Sequence, residues 1–110
     1  MSRTTLTAQQ IARTGTAPSF GAANSDGSAL ANDGREFIHV KNGGGSSINV
    51  TIQTPGTVDG NAIADLVVAV GAAAEKKIGP FPPDTYNQDD GSIYIDYSAV
   101  GSVTVAAFRL

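Results

Sequence analysis

From residue 36 onward, apolar and polar positions alternate in short runs that predict strands. Ile48, Val50 and Ile52 interleave with Asn49, Thr51 and Gln53, a period of two with one face buried. Ile93, Ile95 and Tyr97 interleave in the same way with Tyr94, Asp96 and Ser98. The run Glu36 to Lys41 carries Phe37, Ile38 and Val40, and further strands are expected over 65–70, 75–79 and 103–108. Asp26-Gly27, Asp33-Gly34, Asp59-Gly60 and Asp90-Gly91 repeat the Asp-Gly signature of tight turns. Three prolines in Gly79-Pro80-Phe81-Pro82-Pro83 forbid regular pairing at that corner. About six strands in about 75 residues is the density of a small all-β sandwich or jelly-roll-like barrel.

Two segments read less simply. Ile63, Leu66, Val67 and Val70 also fit helical spacing, with Ala72 to Lys77 as good helix formers behind them. Gly71 and the valines favour strands there, because glycine weakens a helix and β-branched side chains lose little in a sheet. Residues 1–31 are mostly Thr, Ala, Ser, Gly and Asn around Leu6, Ile11, Phe20 and Leu30. They predict an extended N-terminal arm, ordered only when something binds it, ahead of a single β-sandwich domain over 32–110. A short helix over Thr7 to Arg13, capped by Thr7, is the one regular element the arm offers.

Composition agrees with a β fold, since 13 glycines and 5 prolines in 110 residues suit turns better than a helical bundle. With no cysteine, disulfides and thiolate metal sites are excluded, so packing, backbone pairing or association with other chains must hold the fold together. A net charge of -3 and a pI near 4.7 disfavour direct nucleic-acid binding, for which a basic footprint would be needed. The longest apolar run, Leu66 to Ala74, falls far short of the roughly 20 residues that span a bilayer. MSRTTLTAQQ lacks the apolar core of a signal peptide, so no membrane partner and synthesis in the cytoplasm are expected.

Candidate chemistry is sparse. The glycines of Asn42-Gly43-Gly44-Gly45 could cradle a phosphate, but a cradle runs from a strand into a helix and here a strand follows. A hairpin loop between strands 36–42 and 47–53 is expected instead. His39 is the single histidine and lies in mid-strand beside Phe37 and Lys41, the place of a strand-face or core-edge residue. In Asn87-Gln88-Asp89-Asp90-Gly91, aligning Gly91 with the glycine of an EF-hand loop puts Tyr86, Gln88 and Asp90 on ligand positions and Tyr97 where the bidentate Glu belongs, so a solvated turn is expected. Asp96 falls on the outer face beside Tyr94, suited to an interface or a surface ion pair. The reading is non-enzymatic: no catalytic residues, no cofactor and no metal.

The block Asn32 to Ile52, then Ile78-Gly79-Pro80-Phe81 and the terminal Ser102 to Leu110, resembles a family of small tailed-bacteriophage head structural proteins. The likeness covers about residues 32–110. It implies a virion structural role, a capsid decoration (cement) protein on the outer surface of the head, made in the host cytoplasm and bound to the major capsid protein. It also implies association with sister subunits as a homotrimer. Leu6, Ile11, Phe20, Phe81, Tyr86 and Tyr94 are the expected interface residues, because apolar groups in a polar, turn-rich setting need a partner surface. Deleting residues 2–20 is then expected to abolish capsid binding and leave the sandwich folded. The alternatives are a neck or tail subunit and, with few aromatics to serve it, a carbohydrate-binding β-sandwich.

Overall fold

A computed structural model describes residues 3–55 and 57–110 of the chain. The first third contributes β1 (Thr4–Leu6), β2 (Gln9–Gln10), β3 (Gly21–Ala22) and β4 (Ser28–Ala31). Two longer strands follow, β5 (Glu36–Asn42) and β6 (Ile48–Ile52), then the short pair β7 (Thr57–Val58) and β8 (Asn61–Ala62). The chain continues through β9 (Leu66–Val70), β10 (Glu75–Ile78), the one-turn helix α1 (Pro83–Tyr86), β11 (Ser92–Tyr97) and β12 (Val103–Arg109).

Two sheets form a sandwich. One runs β1-β4-β11-β6-β9 and the other β10-β5-β12-β2, with β3 also paired to β12. Residues directly opposite in a ladder share a face, so each register assigns the core. Ile48 faces Val70, Val50 faces Val68 and Ile95 faces Ile52 in the first sheet. Val40 faces Val105 and Ile38 faces Ala107 in the second. These inward rows, with Leu30, Ile93, Val103 and Phe81, make one buried cluster. Tyr97 joins it at the edge, where its hydroxyl meets Ser28 Oγ at 2.8 Å and burial pushes its pKa up.

The strands expected from residue 36 onward are all present, and residues 61–77 hold β8, β9 and most of β10 with no helix. The β-branched residues of 66–70 pack on β6, and Gly71 to Ala74 make the turn into β10. At Asp59-Gly60 both residues have positive φ, 52° and 78°, the two-residue hairpin turn that Asp-Gly predicts, here joining β7 to β8.

Two expectations need correction. Residues 43–45 do not close a hairpin, because β5 and β6 belong to different sheets and the glycine loop carries the chain across the sandwich. Asn42, nearly fully buried, holds that crossing: its amide donates to Ser46 O (2.7 Å), Val70 O and Gly71 O, and its Oδ1 accepts from Gly44 N (3.0 Å). The backbone passes close at Gly43, where a Cβ would lie 3.1 Å from Ser102 O and would push that neighbour back by a few tenths of an ångström.

The second correction concerns residues 1–31. Ser28–Ala31 is an interior strand between β1 and β11, and Leu30 is fully buried. β1 pairs in parallel with β4 and β2 in parallel with β12, so the segment closes one lateral side of the sandwich across both sheets. No helix forms over 7–13; Gln9 and Gln10 find backbone partners on β12 that one isolated helical turn could not offer.

Candidate functional site

The same register that directs Ile38 and Val40 inward directs Phe37, His39 and Lys41 outward, opposite Phe108, Ala106 and Thr104. Outer faces of a sandwich ordinarily meet water, yet His39, Ala106 and Phe108 are buried. Residues 11–20, which join β2 to β3, fold over them. Thr16 Oγ1 accepts from Ala12 N and donates to Gln10 O, both at 3.0 Å. The Gln9 amide donates to Ala17 O (2.9 Å) and accepts from Ser19 N (2.8 Å), so one side chain ties the neck of the loop.

Between loop and sheet lies a cleft of about 320 Å³. Its floor is the stacked pair Phe37 and Phe108, with ring centroids 5.5 Å apart, and its walls include Ile11 and Pro18. Lys77 and His39 also line it. His39 Nε2 lies 2.8 Å from Glu75 Oε1, and its ring meets the Phe20 edge at 5.2 Å. Lys41 Nζ sits 4.2 Å from the Phe20 ring centroid. Such a cleft can take an apolar side chain in its body and keep a polar group at its cationic rim.

The six expected interface residues separate. Ile11, 39% exposed, borders the cleft, whereas Phe20 lies outside its lining and packs against His39 and Lys41. Leu6 packs half-buried on the core beside β4. Phe81 is corrected to a core residue: at 1% exposure it offers no surface to a partner, and Tyr86 covers it with ring centroids 5.5 Å apart. Tyr94 lies on the outer face of the other sheet under the Arg3 guanidinium, 4.4 Å from its ring centroid. Arg3 also pairs with Asp96 at 2.7 Å, the surface ion pair expected of that acid.

Phe37, Phe108 and Lys77 were not singled out from sequence. A signal was present, since Phe37 and Phe108 stand at outward parity in their strands, where an aromatic residue implies a covered face.

At one end of the sandwich the Asn32-Asp33-Gly34 turn, the proline corner and the acidic turn are bonded together. Asn32 Nδ2 donates to Phe81 O (2.9 Å) and Asn87 Oδ1 (2.7 Å). Asn87 Nδ2 returns a bond to Asn32 O at 2.9 Å. Asp33 pairs with Arg35 (3.2 Å) and Arg109 (3.0 Å), and Arg35 beside it lowers its pKa to about 2. Asp90 accepts from both Ser92 N and Ser92 Oγ, which holds its carboxyl below the ordinary range. Among the described residues no three His, Asp or Glu side chains gather as a metal site would.

No family model, curated protein or solved structure matches the chain.

Proposed function

We propose that this chain is a non-enzymatic adhesion module of a virion, a decoration protein that binds the outside of a tailed-phage head and stabilises it through contacts with the major capsid protein and sister copies. The virion setting rests on the resemblance carried by residues 32–110. Adhesion rests on the cleft under residues 11–20, an apolar surface that the chain's own N-terminal segment builds on the outer face of a sheet. Ile11 at its rim is among the large apolar residues most open to solvent. An apolar side chain of the lattice seated there would be desolvated on several sides, and repetition over a symmetric shell multiplies a modest single-site affinity.

The test uses purified heads that lack the protein, with full-length chain added back and copies per head counted. Ile11→Asp and Pro18→Asp both lie on exposed loop positions, so folding should persist while head binding weakens about tenfold or more. Saturation equal to wild type by both variants would remove the cleft from the interface. Immuno-electron microscopy of whole virions addresses the setting separately. Uniform label over heads supports decoration, label at the neck supports a head-closure or tail role, and no label removes the protein from the virion.

A further inference from the structure

The sandwich has four lateral edges among the described residues, and they differ. β1 has three residues, and β2 and β3, which share the edge beside β12, have two each, so all are too short for much pairing. β10 reads EKKI, three charged residues in four, the protection natural edge strands commonly carry. β9 reads LVVAV, five residues with no charge, and Val67 on its outer face is 55% exposed. Nothing in its sequence defends that edge.

The ladder also shows which backbone groups point away from it. Ser98 N donates to Asn49 O (2.9 Å) and Gln53 N to Tyr94 O (3.1 Å), so Asn49, Thr51 and Gln53 turn their hydrogen-bonding groups toward β11. Alternation then directs those of Ile48, Val50 and Ile52 toward β9, where they meet Val70, Val68 and Leu66. The N–H and C=O of Val67 and Ala69 therefore point outward from the sheet.

We propose that β9 pairs antiparallel with β9 of a second copy, about a twofold axis at Val68, joining two five-stranded sheets into one continuous sheet. In that register Val67 faces the partner's Ala69 and Ala69 faces the partner's Val67. Each such pair exchanges two hydrogen bonds, so the outward groups of both residues are satisfied. Asp65 falls opposite the partner's Gly71, which keeps like charges apart, and exposed Val67 is covered. The paired stretch carries no charge, so a second copy meets no repulsion along it, and the outward groups of Val67 and Ala69 on each strand satisfy one another. A single strand pair buries less than the roughly 800 Å² per partner of a stable interface, so the dimer is weak, with a dissociation constant on the order of 0.1 mM.

Sedimentation equilibrium of the full-length protein from about 10 µM to 1 mM should show monomer passing to dimer, a range centred on that constant. Val67→Lys places a charge on the edge, and Ala69→Pro removes an outward N–H without touching the β6 ladder. Both should remain monomeric across the range with unchanged circular dichroism. Amide exchange gives a second readout: Val67 and Ala69 should exchange fast in dilute protein and slow with concentration, while Val68 stays protected throughout. A wild-type monomer at 1 mM, a trimer, or a dimer indifferent to Val67→Lys would overturn the proposal, and if Ala69→Pro fails to fold Val67→Lys decides alone.

Discussion

Asp33 shows how one exposed carboxylate ties distant parts of the chain. It accepts from Arg35 two residues on and from Arg109 in the last strand. Its pKa is lowered to about 2, Arg35 being the first cause, so its share of stability is complete above the ordinary carboxylate range near pH 4 and is lost as pH falls toward 2. Asp33→Asn should flatten the decline of the urea midpoint over that interval, and parallel acid profiles for wild type and variant would show that the pairs are idle. Phe81→Ala should lower stability by about 3–5 kcal/mol in urea unfolding, since it empties a buried aromatic site. Had Phe81 been the contact surface expected from sequence, the change would be nearly silent in the free protein. Gly79→Ala should lower stability by about 1–3 kcal/mol, because φ is 133° there and a Cβ would sit 2.7 Å from Phe37 Cβ. The Asp-Gly turns were legible because local chemistry dictates them, with Gly27, Gly34, Gly60 and Gly91 all at positive φ. The roles of Asn32 and Asn42 were not, because their partners at Phe81, Asn87 and Val70 lie far along the chain.

Strands were legible from period-two alternation, whereas their partners were not. β5 and β6 are neighbours in sequence with a glycine loop between them, the pattern of a hairpin, yet they sit in opposite sheets. A hairpin and a crossing both need a polar, glycine-containing connection, so the choice falls to packing: both strands pair better with β11 and β12 than with each other. Residues 1–31 depart from the expected arm for a related reason. Their small side chains give weak alternation, but a strand inside a sheet draws stability from backbone pairing as well as from side-chain burial, and β4 needs only Leu30 to anchor its four residues. The cleft was illegible from sequence for the same cause, since it exists only where residues 11–20 lie on the outer face of β5 and β12. Removal of residues 2–20 is therefore expected to strip β1 and β2 and expose the edges of β4 and β12. A fall in the thermal midpoint together with concentration-dependent aggregation should follow. An unchanged midpoint would show that the segment rests on the sandwich without supporting it.

At the scale of the molecule, the last strand completes what earlier strands cannot hold alone. β12 pairs with β5 along its whole length, with β3 near its start and with β2 at its end, so three of the four other strands of that sheet depend on it. It also buries Val103, Val105, Ala106, Ala107 and Phe108, filling both the core and the floor of the cleft. Without it β5 would keep only β10, a two-stranded ribbon with one half-covered face, which is marginal in water. The first sheet would then face solvent with its inner rows bare. A chain ending before Val103 should accordingly fail to fold, showing a featureless far-ultraviolet spectrum and collapsed amide dispersion, whereas loss of Leu110 alone, exposed and outside β12, should change little. Because pairing joins residues such as Asn42 and Val103, loop closure must precede most stabilising contacts, and refolding of the intact chain is expected in milliseconds to seconds. Cooperative unfolding by a chain lacking 103–110 would show that the first sheet and the N-terminal closure form a stable unit by themselves, and the single-core account of the sandwich would then have to be abandoned.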